Sequence, residues 1–468
     1  MAELESLLTK DELRAASAST RNAHFTSPDV VNFMWQAARQ LGFNGGMVLE
    51  PSVGVGNFVG LMPREVAGKS RVTGIELDSL TSRMASALYP RANIVHSGFE
   101  KLALPDGAFS LAIGNPPFGS ESLRFNHRPD LNRFSIHNQF FLGSLDAVEP
   151  GGLMAMVVSR YLLDAQDAST RRLLAQKAKL VGAVRLPGSA FKGNALTDVV
   201  TDVIFLQRRT AEEEAQVTSA LHEVVAKAKP GDVSAQARKA SAEALLAREM
   251  AWTGTAKVKD PLGGEAMEVG AYFAANPQMI AGTMDRSGSM QHGADIDVKL
   301  AKGEKLADRL AKAIEHLPAR APREFSDEAL ARSEEMHAAL GEALALSASG
   351  AEVGSLRFED DGALTTVVER LAENGESAMK RVAVNAATPW SPNLFMDMKG
   401  RWFSNEPKLK SDGAPMKNGR FVVYTKKVYE NEADIPAGLR LGESKFERLK
   451  KLVTIRDLFM AQINLEVS

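Results

Sequence analysis

The chain has 468 residues, 44% of them hydrophobic and 24% charged, with a formal net charge of −2 and no cysteine. That length allows two or three domains of ordinary globular composition, and a charge near zero does not announce a nucleic-acid binder, although phosphate contacts depend on local clusters. Absence of cysteine excludes disulfides, thiolate metal sites and any enzyme with a thiol nucleophile, including those that methylate carbon 5 of cytosine, and it fits a cytoplasmic protein. No apolar run is long enough to span a bilayer and no basic-then-apolar signal opens the chain, so no membrane is expected. The first 210 residues are slightly basic and the remainder is acidic overall.

Residues 1–20 read as a polar helix with Leu4, Leu7, Leu8 and Leu13 at helical spacing. Ser27-Pro28 predicts a capped helix start, followed by Val30, Val31, Phe33, Met34 and Ala37 on one face. Met47–Glu50 is a short buried strand running into Pro51-Ser52-Val53-Gly54-Val55-Gly56-Asn57-Phe58. Strand, glycine-containing loop and helix is the geometry that brings backbone N–H groups against a ligand. With only two glycines and no following Lys-Ser/Thr, neither a dinucleotide fingerprint nor a nucleotide-phosphate loop is matched. A second strand, Arg71–Glu76, ends in an acid placed to accept from ribose hydroxyls, or to serve as a helix-cap acid. A third, Ala92–His96, leads into Ser97-Gly98-Phe99-Glu100.

The fourth strand ends abruptly as Leu111-Ala112-Ile113-Gly114-Asn115-Pro116-Pro117-Phe118. Two prolines remove two backbone donors and fix φ, so the strand cannot continue. The Asn115 amide and adjacent carbonyls are then left as acceptors beside the flat face of Phe118. Such a tip suits an amino group on a planar ring; the plainer alternative is a turn after a strand. A polar segment, Gly119–Ser135, carries Arg124, Arg128 and Arg133 as either a solvated loop or a substrate flap. A helix from near Ile136 should end at Pro150-Gly151-Gly152, followed by strands over Leu153–Val158, Leu180–Pro187 and Asp202–Gln207. Alternating strands and helices imply an α/β, Rossmann-like, doubly wound and mostly parallel sheet. The return from 180–187 to 199–207 implies one antiparallel strand near its edge.

Residues 208–250 read as charged helix interrupted at Lys229-Pro230-Gly231, 284–296 as loop, and 300–345 as helices. A β-leaning aromatic region spans about 353–430 and a final amphipathic helix starts at Glu443. The expected organisation is therefore a ligand-binding α/β domain over 1–210, a mainly helical accessory region over 211–345, and a small α+β region over 346–468. In the last, Trp390, Phe395, Trp402, Phe403 and Tyr424 alternate with basic residues including Lys408, Lys410, Lys417 and Arg420. That mixture suits phosphate contacts and base stacking, or simply a solvated basic face. His24, His96, His127 and His137 are scattered without metal-ligand spacing, so no metal is expected.

Over roughly residues 20–207 the motifs resemble S-adenosylmethionine-dependent N6-adenine DNA methyltransferases in their γ-type order. They run Phe25-Thr26, Leu49–Phe58, Glu76, Phe99-Glu100, Asn115–Phe118 and Phe191. Asn-Pro-Pro-Phe after a strand is the most specific of them, and with Glu-Pro-Ser-x-Gly-x-Gly it is a strong match. Residues 250–320, through Tyr272-Phe273-Ala274-Ala275-Asn276-Pro277 and Ser287-Gly288-Ser289-Met290, more loosely resemble phage and plasmid methyltransferase–helicase proteins, some of them antirestriction factors. No helicase motif is present, so helicase or restriction components would be a fused or separate partner.

The resemblance implies S-adenosylmethionine as cofactor and DNA as partner, with host-restriction protection as one outcome. It implies that Thr26 contacts the cofactor's carboxylate, that Glu50, Ser52, Gly54 and Gly56 hold its methionine part, and that Glu76 takes its ribose hydroxyls. Phe99 would lie on its adenine ring with Glu100 near the edge. The family usually has Asp before that Phe; here it is Gly98, so that contact is lost or shifted to Glu100. Asn115 and Pro116 would accept from the target amino group, with Pro117 closing the turn. Phe118 and Phe191 would stack the flipped base, although Phe191 also reads as a core aromatic. Asn rather than Ser at the first position favours adenine over the cytosine amino group. Arg124, Arg128 and the C-terminal Lys408, Lys410, Lys417 and Arg420 are the nucleic-acid candidates. The alternatives are methylation of RNA adenine or of protein glutamine, or a non-catalytic recognition subunit of the same fold.

Overall fold

In the computed structural model, the described residues are 26–119, 122–125, 127–191, 200–225, 233–290, 293–323, 326–348, 356–359, 361–371, 377–389, 394–396, 402–411, 414–418, 421–422, 424–429 and 431–454. The chain divides into two compact units, Met1–Gly341 and Glu342–Ser468. The N-terminal helix expected over 1–20, together with Phe25, lies outside the described residues.

The first unit is built on seven strands: β1 Gly46–Glu50, β2 Ser70–Glu76, β3 Asn93–His96, β4 Phe109–Gly114, β5 Val148–Ser159, β6 Ala178–Leu186 and β7 Thr201–Arg208. Their spatial order is β3-β2-β1-β4-β5-β7-β6. β1 to β5 run parallel, and β7 is inserted antiparallel between β5 and β6, with Ser159 opposite Thr201 and Leu186 opposite Thr201. This is the α/β sheet expected, with its reversed strand one place in from the edge. β1 and the inner part of β5 are continuously buried because helices cover both faces of a parallel sheet. The helix Pro28–Gln40 turns Val30, Val31, Phe33, Met34, Trp35, Ala37 and Ala38 inward, with Phe33 edge-on to Phe205 of β7 at 5.9 Å. Ser27 stands at its N-cap position in extended conformation but makes no side-chain cap bond; Pro28 sets the helix start.

Three local expectations are corrected. The helix Ile136–Ala147 stops before Pro150, and Val148 already begins β5. Pro150-Gly151-Gly152 lies inside that strand, with Gly151 in the left-handed region at φ 80°. Residues 284–290 and 293–296 are not loop but belong to an antiparallel strand pair, β10 Thr283–Met290 and β11 Gly293–Lys299, preceded by a second pair, β8 Thr255–Val258 and β9 Met267–Gly270; residues 291 and 292 lie outside the described residues. The accessory stretch is therefore only partly helical, its helices being Ala211–Val225, Val233–Glu249, Leu306–Glu315 and Asp327–Ala348, with a single turn at Ala271–Ala275.

This stretch is pinned to the sheet. Gln40 Nε2 donates to the carbonyls of Ile314 and Leu317, and the amide of Arg320 donates to the Gln40 carbonyl. At the other edge His337 is 2.8 Å from the Val72 carbonyl, and Asn93 Nδ2 donates to the His337 carbonyl.

In the second unit an antiparallel sheet of β12 Leu356–Phe358, β13 Leu364–Leu371 and β14 Ser377–Ala383 packs through Leu364 and Val384 on Leu441 and Val453. A second sheet joins β15 Leu394–Met396, β16 Trp402–Pro407 and β19 Tyr424–Tyr429; β17 Lys417–Asn418 and β18 Phe421–Val422 pair separately.

Candidate active site

The polar features gather at the carboxyl ends of β1, β2 and β4, the edge at which ligands bind in open α/β sheets. β1 delivers Glu50 there, 2% exposed, with its Oε2 lacking a hydrogen-bond partner among the described residues. Burial, and then the charge of Glu76, push the Glu50 carboxyl well above the usual carboxylate range. The following loop folds back on β2: Val53 N donates to the Ile75 carbonyl and Gly54 N donates to Glu76 Oε2, 2.9 and 2.8 Å. Asp78 N donates to Glu76 Oε1 at 2.8 Å. Burial raises the Glu76 carboxyl, and these two backbone donors offset part of the rise. Gly56 sits at φ 86°, and a Cβ there would overlap the Tyr89 ring, so glycine is required on both counts.

Ser52 Oγ donates to the carbonyl of Asn115 at 3.1 Å, tying the loop after β1 to the tip of β4. Thr26 is buried, and its carbonyl accepts from Asn57 Nδ2, which places it against the same loop. The amide-bearing tip thus stands beside the glycine loop: Asn115 is half-buried, Pro116 buried, Pro117 and Phe118 half-buried. Phe118 stacks on His137 (centroids 5.3 Å, planes 26° apart), and His137 lies 5.5 Å from Phe141. Burial lowers the His137 pKa to about 4, against an opposing hydrogen bond with Asn138, so the imidazole is neutral near pH 7.

Phe99 is buried and stacks on Phe140 at 4.5 Å with Phe125 edge-on at 5.9 Å. It also lines a small cavity of about 60 Å3 with Leu102, Leu131 and Gly143. The Glu100 carboxylate lies over Gly98, in the space a Cβ at 98 would take. The residue that sequence reasoning expected to compensate for Gly98 is therefore folded back onto that position. Phe191 ends the 3-10 turn Gly188–Phe191 after β6 and is buried.

The basic candidates fall apart into different situations. Arg124 is exposed. Arg128 is half-buried and ion-paired to Asp130 at 2.9 Å and Asp146 at 2.8 Å, which raises its pKa further. Lys408 and Lys410 are exposed in the second unit, Lys417 is in β17, and Arg420 lies outside the described residues.

Two residues were missed in the sequence. Leu77, directly after Glu76, is 70% exposed. It is an apolar side chain held in water next to the Glu76 carboxylate, and its position immediately after the strand-end acid is the signal that could have found it. The sequence places His137 only among histidines without metal-ligand spacing; its contact with Phe118 across 19 residues has no sequence signature. Among the described residues no group of three His, Asp or Glu could hold a metal, and no helix is long and apolar enough to cross a membrane.

No family model matches the chain. It is 31% identical over 193 residues to Defense against restriction protein B of Escherichia phage P1, covering 40% of this chain and 8% of that protein. It is 27% identical over 191 residues to Type II methyltransferase M.CvrRI of Paramecium bursaria Chlorella virus XZ-6E, covering 40% and 48%. The chain spans less than half the length of each of these relatives. Among solved structures it is similar to a modification subunit of a putative type I restriction enzyme from Vibrio vulnificus YJ016, with 23% identity, 39% and 44% coverage and a TM-score of 0.33. A putative class I S-adenosylmethionine-dependent methyltransferase from Listeria monocytogenes gives 17% identity, 49% and 72% coverage and a TM-score of 0.34. The sheet order, with its inserted antiparallel β7, is that of an α/β Rossmann-like sheet, and the sequence likeness is to a phage defense-against-restriction protein and a viral type II methyltransferase.

Proposed function

We propose that the chain transfers a methyl group from S-adenosylmethionine to the N6 amino group of adenine in DNA. The observation that carries this reading is the Ser52–Asn115 hydrogen bond, which fixes the amide tip of β4 beside the glycine loop of β1. The residues around that loop fit a cationic amino-acid nucleoside. The Glu50 carboxyl, with its Oε2 unmatched among the described residues, answers an ammonium group, Thr26 lies by the same loop, and Glu76 retains lone pairs for hydroxyls. Leu77 offers exposed apolar surface for a purine ring, and Glu100 over Gly98 offers a carboxylate for its edge.

When bound, the cofactor supplies an electrophilic methyl on a sulfonium leaving group. The protein's own task is to make a poor nucleophile reactive, because the lone pair of a ring amino group is delocalised into the ring. The Asn115 side-chain oxygen and the Pro116 carbonyl would accept its two N–H bonds and so draw the nitrogen toward tetrahedral geometry, which localises its lone pair for attack. Positioning and electrostatics then carry the reaction, without a covalent intermediate. The target base has to leave the duplex to reach this tip, and Phe118, backed by His137, gives it a stacking face.

The test is incubation with labelled S-adenosylmethionine and DNA, RNA or total protein, followed by nucleoside and amino-acid analysis. N6-methyladenine from DNA is expected, and Asn115→Ala should abolish it while leaving folding and cofactor binding largely intact. Label recovered only in RNA or glutamine, or full activity in Asn115→Ala, would sink the reading.

A further inference from the structure

Beyond β5 lies a second aromatic residue that the mechanism above does not use. Gly114 of β4 pairs with Met156 of β5, so Arg160 and Tyr161 follow β5 at the same sheet edge from which Asn115–Phe118 follow β4. β5 runs three residues past Met156 to Ser159 before Arg160 and Tyr161, so the two chain ends leave adjacent strands at the same edge, with Tyr161 further out along the strand direction than Asn115. Tyr161 is 46% exposed although Arg160 and Leu162 on either side are buried.

Its ring is nevertheless held. The Arg160 guanidinium sits 4.2 Å from the ring centroid, and Arg160 Nη2 donates to the Tyr161 hydroxyl at 3.1 Å. That hydroxyl lies 3.5 Å from Asp295 on β11, and Asp295 is ion-paired to Arg160. A second carboxylate, Asp164, meets Arg160 at 3.2 Å. Two acids already answer the one guanidinium, so this cluster is not a phosphate grip. What it presents to solvent is a flat aromatic face fixed in its plane. The same strand β11 packs against the Gly188–Phe191 turn, so one strand pair braces both aromatic positions.

We propose that Tyr161 is a substrate contact that stacks on a nucleobase next to the adenine drawn into the Asn115 tip, with Arg160 and Asp295 as its positioning residues. This rests on DNA being the substrate. Stacking on a pre-oriented ring binds every base, because each has a π face, and loses little conformational freedom.

The experiment compares the full 468-residue chain with Tyr161→Ala, Tyr161→Phe and Asp295→Asn, using a fluorescein-labelled adenine-containing duplex for Kd and labelled cofactor for rates. Tyr161→Ala is expected to raise Kd and KM for DNA about tenfold, with kcat, cofactor affinity and melting temperature unchanged. Tyr161→Phe should retain most of the affinity, and Asp295→Asn should fall between. An unchanged DNA Kd in Tyr161→Ala overturns the inference, whatever the rates do. A wild-type chain that binds DNA without methylating it overturns the adenine-transfer reading alone, because the Kd comparison still decides on Tyr161. A wild-type chain that does not bind DNA overturns both.

Discussion

Replacing Glu50 by Gln should separate what that carboxyl does for folding from what it does for binding. Glu50 is buried at the end of β1, its Oε2 is unmatched among the described residues, and Glu76 adds like charge. Both effects raise its pKa above the ordinary value near 4.5. A carboxyl whose pKa rises on folding contributes stability that is fully present below that ordinary value. The contribution is lost as pH rises through the raised one. Above the ordinary value the folded chain therefore carries a cost, either of keeping that carboxyl protonated or of burying it ionised with Oε2 unmatched. Between the ordinary value and pH 7 that cost reaches at most about 3 kcal/mol, and a Gln, which does not titrate, escapes it, so Glu50→Gln should stabilise the first unit by about 1–3 kcal/mol at pH 7. For a unit of this size that is a rise of about 2–6 °C in melting temperature. Melts of both chains from pH 4 to pH 8 test this: the advantage of the variant should vanish toward pH 4.5 and grow with pH. On the proposed role of Glu50 as partner of an ammonium group, titration with S-adenosylmethionine at pH 7 should show weaker binding by the variant. A variant less stable than wild type at pH 7, or a gain that does not change with pH, would refute the reasoning.

The other expectations concern single contacts. Gly56→Ala puts a side chain at φ 86° and into the Tyr89 ring. The backbone strain alone is about 1–2 kcal/mol, so calorimetry should show cofactor affinity falling about tenfold, and undiminished affinity would remove Gly56 from the cofactor loop. Phe118→Ala takes away the ring that stacks on His137 without touching the β1 loop. Single-turnover methyl transfer to DNA should slow while cofactor Kd stays at the wild-type value.

The sheet was legible because parallel strands buried on both faces leave continuous apolar runs, as in Met47–Leu49 and Leu153–Val158, and because Pro116-Pro117 can only end a strand. The strand pair Thr283–Met290 and Gly293–Lys299 was not. Its first strand, Thr283–Met290, is polar without an apolar period, although Ala294, Ile296 and Val298 alternate with Asp295, Asp297 and Lys299 in the second; its register slips between Asp285 and Gly288, and part of its anchorage is the ion pair of Asp295 with Arg160. Arg128 illustrates the same limit in the site. Sequence shows a charge in a polar loop, whereas its partner Asp146 lies on the helix ending at Ala147 and meets it only in the folded chain. Pro150-Gly151-Gly152 misled for a different reason: a helix-stop signature was satisfied by a strand whose Gly151 takes a left-handed φ.

Arg185 explains why the sheet and the accessory stretch form one compact unit. It is fully buried near the end of β6, with Nε 2.8 Å from Asp202 of β7 and Nη2 2.7 Å from Asp164 beyond β5. Bidentate contact of the guanidinium with Asp202 keeps that pair charged in the interior, a state that is costly unless every remaining donor and acceptor is matched. Much of the matching comes from outside the sheet. Phe273 lies under the guanidinium at 4.4 Å, Gly270 N donates to Asp164 at 2.8 Å, and Ala281 N donates to the Arg185 carbonyl at 2.9 Å. Arg171, also buried, gives its Nε to the Thr253 carbonyl at 2.6 Å. The segment around Tyr272-Phe273-Ala274-Ala275-Asn276-Pro277 thus completes a charge network that β5, β6 and β7 cannot satisfy alone. The strand so fixed leads, within five residues, into the turn that carries Phe191. The change in composition after residue 210 therefore marks where the parallel sheet stops, and not where its stability does.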